Sequence, residues 1–107
     1  MPSIDDQALD QHIRATETQA KAQVCAHHVS GFADEFERRF QAWRQAHTDL
    51  LNRGAAVAQA RGLSGPQPPG IEWFAQAQAQ VVKDMPPDVR QQRCNDLLAL
   101  YRVRPLR

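Results

Sequence analysis

The sequence predicts an all-α fold, and three observations support that prediction. Residues that favour helices are abundant, with 16 Ala and 13 Gln among 107 residues. The runs of β-branched residues that strands need are absent from the sequence. Apolar residues recur at steps of three and four along most of the chain, which is the spacing of an amphipathic helix.

The first helix is predicted over about residues 4–29. Ser3 precedes it, and Asp6 stands three residues later, which resembles a capping box with Asp in place of Glu. The helix has two apolar stripes, so we expect it to pack against two neighbours. One stripe is Leu9, Ile13, Ala20 and Val24; the other is Ala8, Ala15, Ala22, Cys25 and Val29.

Gly31 is suited to end this helix, and a second one is predicted over about residues 32–61. Its apolar face is uninterrupted, and at 1.5 Å per residue it would be about 45 Å long. The face consists of Phe32, Phe36, Phe40, Trp43, His47, Leu50, Gly54 and Val57. Residues 62–70 contain three glycines and three prolines, so they are predicted to be a loop.

Two shorter helices are predicted after the loop, over about residues 71–85 and 87–102, followed by a basic tail at 103–107. The third helix is expected to bury Phe74, Ala77, Val81 and Met85, which share one helical face. The fourth is expected to bury Val89, Cys94, Leu97, Leu98 and Tyr101. Pro86 and Pro87 separate the two helices, since proline is tolerated in the first turn of a helix but not in its interior.

The helix lengths predict a single domain, 1–107, built as an elongated bundle of three rods that run up, down and up. The third rod is the pair of short helices, broken at Met85-Pro86-Pro87, so the bundle contains four helices. The first and third rods would then run parallel, with Cys25 and Cys94 at nearly the same height.

The two cysteines are therefore predicted to form a disulfide, Cys25–Cys94. Such a bond would help a core that is thin, because alanine supplies much of the apolar content. Two alternatives remain open at this point. The cysteines could be inert buried thiols, or Cys25, His28, Cys94 and His47 could form a metal or redox site, although no paired metal-binding motif is present.

No glycine-rich phosphate loop, nucleophile elbow or zinc-protease motif is present, so an enzyme and a cofactor are not expected. The net charge of +1 argues against binding to nucleic acid through bulk charge. The leading hypothesis is a small non-catalytic helical module, of the adaptor, inhibitor or immunity-protein kind, that binds another protein. The residues expected to contact that partner are Trp73, Arg90, Arg93 and Arg102.

Further expectations concern function, partners and location. The alternative function is association with nucleic acid through the arginine-rich last helix and tail, and a Cys/His metal-dependent sensor is a third hypothesis. A homodimer is compatible with the sequence, whereas no apolar run is long enough to span a membrane. The protein is expected to be periplasmic or secreted if the disulfide forms and a signal peptide has been removed, and cytoplasmic otherwise.

Overall fold

The computed structural model describes residues 3–101, and within that range the chain is helical with no strand. The helices are α1 (Ile4–His28), α2 (Phe32–Ala46), α3 (Thr48–Ala60), α4 (Ile71–Lys83) and α5 (Pro87–Leu100). The predicted all-α fold is confirmed. The described chain contains five helices where the sequence predicted four, because the second predicted helix is divided in two.

The central element is α1, which packs against each of the other four helices. Its start is capped as predicted, since the Ser3 hydroxyl accepts a hydrogen bond of 3.1 Å from the backbone N–H of Asp6. The two predicted stripes both find neighbours. Ala15, Ala22 and Cys25 belong to a core cluster with the phenylalanines of α2, and Ala20 packs with α4.

The division between α2 and α3 falls at His47, where the predicted continuous helix 32–61 is wrong. Two side chains compete for the last carbonyl groups of α2. The Thr48 hydroxyl donates to the carbonyls of Arg44 and Gln45, at 3.0 and 3.2 Å. The His47 ring nitrogen Nδ1 lies 2.7 Å from the carbonyl of Trp43. The predicted apolar face nevertheless continues across the break, with Phe40 and Gly54 both buried.

The third rod is broken at Met85-Pro86-Pro87 as predicted, but α5 folds back instead of continuing the direction of α4. Cys94 is bonded to Cys25, and Tyr101, seven residues later, hydrogen-bonds Thr18, seven residues earlier on α1. Consequently α5 runs antiparallel to α1. The described chain measures 42 × 39 × 23 Å, which is a flattened shape where an elongated bundle was expected.

The largest core cluster lies between α1, α2 and α5. It contains the disulfide and three phenylalanines, and Trp43 and Tyr101 pack against it from the edge. The rings of Phe36 and Phe40 stack with their centroids 5.0 Å apart, and Tyr101 meets Phe40 edge-on at 5.1 Å. Val89, which was expected in this core, is 41% exposed, because the reversal of α5 leaves its first turn outside the cluster.

The other side of α1 packs closely against α3 through small residues. A Cβ atom at Gly54 would overlap the carbonyl oxygen of Ala8 and lie 2.7 Å from the Cβ of His12. Only glycine allows the two backbones to approach this closely. Ion pairs flank the contact, with Arg53 2.7 Å from Asp5 and Arg61 3.0 Å from Asp6. None of the helices formed by residues 3–101 is both long enough and apolar enough to cross a bilayer.

Candidate functional site

The most unusual surface of the described chain is on α4, where large apolar side chains point to solvent. Trp73, Phe74 and Val81 are 40%, 49% and 54% exposed. Ala77 is also exposed and lies on the same side of the helix. At 3.6 residues per turn these four residues occupy an arc of about 100°. We call Trp73, Phe74, Ala77 and Val81 the outer face of α4.

The inner face of α4 is built mainly from small residues. Ala75 and Ala79 are almost completely buried, and they form a cluster with Ala20 and Val24 of α1. Ile71 and Val82 complete this inner face at the two ends of the helix. The prediction that Phe74, Ala77 and Val81 face the core is therefore wrong, because the close contact with α1 has room only for small side chains.

The first turn of α4 is held firmly by the preceding loop. The backbone N–H of Ile71 donates to the carbonyl of Leu63 at 2.7 Å, and the Glu72 carboxylate accepts from the N–H of Gly65 at 2.7 Å. A Cβ at Gly70 would overlap the carbonyl oxygen of Gly65, so the loop closes tightly under the helix. The aromatic end of the outer face therefore starts from a fixed position.

Trp73 and Phe74 form one aromatic unit at the start of the outer face. Their ring centroids are 5.0 Å apart and their planes are perpendicular, which is a favourable edge-to-face arrangement. Residues 73–82 contain no charged side chain, and the polar groups among them are three glutamine amides. The outer face is thus an uncharged apolar surface on a well-anchored helix.

The four residues predicted to contact a partner do not form one patch. Trp73 is 40% exposed on α4, and Arg93 is exposed on α5. The guanidinium of Arg90 is instead used within the fold, since it donates to the carbonyls of Lys83 and Met85 at 3.1 and 3.3 Å. Its contact with Lys83 places it about 15 Å along the helix from Trp73. Arg102 lies outside the described residues.

The sequence interpretation missed Phe74 and Val81 as surface residues. A signal for them exists in the repeated Ala-Gln pattern, because it offers a second helical face of small residues, Ala75 and Ala79, that can pack closely on another helix. The larger side chains at Phe74 and Val81 made the opposite face look like the core.

Cys25 and Cys94 form the predicted disulfide, with their Cα atoms 5.6 Å apart. Both residues are at most 1% exposed. The pair meets because α5 turns back beside α1, and not through the parallel rods from which it was predicted. Oxidised cysteines are not available as thiolate ligands, so the hypothesis of a Cys/His metal sensor loses two of its four ligands. Among residues 3–101, no group of three or more His, Cys, Asp or Glu side chains is arranged to hold a metal ion.

A shallow groove of about 540 Å³ separates α1 from α4, on the side of α4 that carries Gln76 and Gln80. His27, His28 and Lys83 stand at one end of it, and glutamines form its walls. Desolvation lowers the pKa of His28, and the positive charges of Arg90, His27 and Lys83 lower it further. Lys83 and Arg90 therefore stand near the end of α1, about 15 Å along α4 from the aromatic pair.

The comparisons with known proteins give no family for this chain. No family model, no curated protein and no solved structure matches it. The function of the protein must therefore be inferred from its own surface.

Proposed function

We propose that the protein is a small non-catalytic protein-binding module, of the adaptor, inhibitor or immunity-protein kind, and that its contact surface is the outer face of α4. One observation supports this proposal above all: α4 buries alanines and exposes Trp73, Phe74 and Val81. A contiguous group of large exposed apolar side chains is typical of a surface that is covered in a complex.

The size of the aromatic pair makes it a suitable anchor. At 40% and 49% exposure, Trp73 and Phe74 leave on the order of 200 Å² accessible. Burying that area would contribute about 5 kcal/mol before the costs of association. Tryptophan and other aromatic residues dominate the binding energy of many interfaces, surrounded by contacts that contribute little. The outer face has such an aromatic anchor at one end, and the glutamines of α4 lie beside it.

The scaffold beneath the outer face is ordered before any partner arrives. The loop anchors the start of α4, and alanines hold the helix against α1 along its length. A helix that is already formed loses little conformational entropy on binding, so more of the apolar contribution appears as affinity. This arrangement favours recognition by a rigid surface over folding on contact.

The disulfide supports a proposal about the compartment. Disulfides persist in the periplasm and outside the cell, whereas the cytosol keeps thiols reduced. The protein would therefore be periplasmic or secreted, provided that a signal peptide is removed from its precursor. Its partner would be sought in the same compartment.

A comparative binding experiment tests the proposed function. The tagged protein, the double variant Phe74→Ser/Val81→Ser and the control Gln41→Ser would be used to recover proteins from the source organism. Both substituted apolar residues are about half exposed, so the fold is expected to survive, which circular dichroism would check. Gln41 is exposed on α2, against the opposite side of α1.

We expect a protein that is recovered with the wild type and the control, and whose recovery falls at least tenfold with the double variant. Recovery that is equal with all three would contradict the proposal. Loss with the control alone would place the contact surface on α2 and would also contradict it.

A further inference from the structure

We infer that the Cys25–Cys94 disulfide holds α5 in the fold, and that reduction of this bond releases α5 while the other four helices stay folded. The inference goes beyond the proposed function, because it concerns α5 and not the outer face of α4. It is carried by the small number of α5 side chains that are buried, by the position of Cys94 among them and by the packing of α4, which does not depend on α5.

Most of the side chains of α5 are not buried. Of its 14 residues, only Cys94 and Leu97 are buried. Val89, in the first turn, is 41% exposed, and Leu100, at the end, is 74% exposed. A helix of this length is marginal in water by itself, so it depends on tertiary contacts. In α5, one of the two residues that make a fully buried contact is the bonded cysteine itself.

The helix α4 has nearly the same length but is held differently. It buries Ile71, Ala75, Ala79 and Val82 along its whole length. Hydrogen bonds from the preceding loop also fix its first turn. The buried cluster that joins α4 to α1 contains no residue of α5. We therefore expect α4 to keep its place on α1 when α5 is released.

The other contacts of α5 with α1 and α2 lie mainly near its end. Leu98 and Tyr101 are half-buried and pack against the largest core cluster. The carbonyl of Leu98 accepts a hydrogen bond of 2.9 Å from Arg39, and the hydroxyls of Tyr101 and Thr18 are 2.9 Å apart. Near the start of α5, Arg90 donates to carbonyls at the end of α4, so this contact does not hold α5 to α1 or α2.

Reduction by a dithiol transfers two electrons and two protons to the chain. One thiolate of the reductant attacks a sulfur of the bond and forms a mixed disulfide. The second thiolate then displaces the cysteine, which leaves two thiols on the chain and a disulfide in the reductant. Both cysteines are at most 1% exposed, so this attack takes place when α5 opens locally.

The size of the effect follows from the length of chain that the bond constrains. Because α4 stays on α1, the bond closes a loop of about ten residues between the end of α4 and Cys94. In the chain-entropy model, the loss of such a closure shifts the opening equilibrium by about a hundredfold. The few remaining contacts of α5 oppose this shift, so we expect a change of at least tenfold.

Release of α5 would uncover an aromatic surface on α2. Tyr101 meets Phe36, Phe40 and Trp43 edge-on, with ring centroids 6.1, 5.1 and 5.3 Å away. These contacts are lost when α5 leaves. The oxidised chain therefore has a covered aromatic core, and the reduced chain has an open one. The outer face of α4 is not part of this cluster, so it is the same in both states.

The reactivity of the native thiols after reduction tests the inference. The protein would be reduced with a dithiol, separated from the reductant without oxygen and treated with iodoacetamide. Peptide mapping by mass spectrometry would then give the rate of reaction at each cysteine. The matched control is a third thiol, introduced by Val82→Cys in the same chain, because Val82 is 7% exposed on the inner face of α4.

Cys94 is expected to react at least tenfold faster than the Val82→Cys thiol. A smaller difference would overturn the inference. If both thiols are slow, α5 stays in place without the bond; if both are fast, the whole chain unfolds on reduction. Hydrogen exchange of the reduced wild type, which carries no substitution, provides a second measurement. The amides of α5 are expected to lose at least ten times more protection than those of each other helix, and an equal loss would also overturn the inference.

Discussion

The two sides of α1 are held by different kinds of contact. Towards α2 and α5, the packing consists of three phenylalanines, a tyrosine and the Cys25–Cys94 disulfide. Towards α3 and α4, it consists mainly of alanines and one glycine, with Ile71 and Val82 buried at the two ends of α4. The first side has large side chains and a covalent bond between the elements. The second has many close contacts between small groups.

This difference explains why the outer face of α4 exists. Each small residue buries little apolar area, so the packing of α4 depends on many dispersion contacts with α1. Those contacts form because the two helices lie close together. Close approach leaves no space under α4 for a tryptophan or a phenylalanine. The large side chains of that helix therefore point outward, where only another molecule can cover them.

The largest expected effect on stability concerns the side of α1 that packs against α2 and α5. Replacing both cysteines, Cys25→Ala/Cys94→Ala, removes a cross-link between residues 69 positions apart. In the chain-entropy model, closing a loop of this length stabilises the fold by about 4 kcal/mol. We expect a loss of that size in the free energy of unfolding, measured by urea denaturation.

This prediction distinguishes the disulfide from the aromatic packing around it. A loss below about 1 kcal/mol would show that the phenylalanines hold α5 without the bond, since a disulfide normally contributes about 2–4 kcal/mol. The two sides of α1 would then both be stabilised mainly by packing, and they would differ only in the size of the packed side chains.

The next largest effect concerns the other side of α1, where it contacts α3. Helix propensity alone predicts that Gly54→Ala stabilises α3 by up to about 1 kcal/mol. The added Cβ would overlap the Ala8 carbonyl oxygen, and overpacking of this kind costs about 1–3 kcal/mol. We therefore expect a net destabilisation of about 1 kcal/mol in urea denaturation.

The sign of this change is the test. Ala56→Gly, on the exposed surface of the same helix, gives the propensity contribution by itself. If Gly54→Ala stabilises the protein by the amount that this control loses, the two helices are further apart than the structure shows.

The smallest effect concerns pH, at the end of α1 where Lys83 and Arg90 approach. The pKa of His28 is lowered from 6.5 by desolvation and by the charges of Arg90, His27 and Lys83. The unfolded chain therefore takes up a proton at higher pH than the folded protein. The contribution of His28 to stability is present above its unfolded pKa and is lost as the pH falls through its folded pKa.

We expect the free energy of unfolding to fall slightly as the pH is lowered from about 7 to about 5, and His28→Gln to flatten that slope. Urea denaturation of both proteins across this range measures the difference. A slope that is the same with and without His28 would show that the fold does not lower the pKa of this histidine.

Much of the fold could be predicted from the sequence because helix formers and regular apolar spacing leave few alternatives. Ser3, the two stripes of α1, the phenylalanine face and the proline break are all local features with local causes. The pairing of Cys25 with Cys94 was also predicted correctly, but the direction of α5 was not. The direction of α5 after Pro87 depends on its tertiary contacts, and those involve residues far away in the sequence.

The candidate site was predicted only in part, for a related reason. Trp73 was expected to contact a partner, but α4 offers two helical faces of similar regularity, and the choice between them depends on the helix that it meets. The face with Phe74 and Val81 is the more hydrophobic of the two, so it was predicted to be the core. Ala20 of α1 instead packs with Ala75 and Ala79, so the face with the smaller side chains is buried. The break at His47 was missed because the competition of Thr48 for backbone carbonyls does not disturb the apolar spacing.

The most direct test of this account is the reactivity of a thiol placed on each face of α4. Val81 is 54% exposed and Val82 is 7% exposed, although they are neighbours in the sequence. In dilute solution, Val81→Cys is expected to react with a thiol reagent at nearly the rate of an exposed cysteine, and Val82→Cys at least tenfold more slowly. If Val82→Cys reacts faster than Val81→Cys, the large side chains of α4 face the core and the proposed binding surface does not exist.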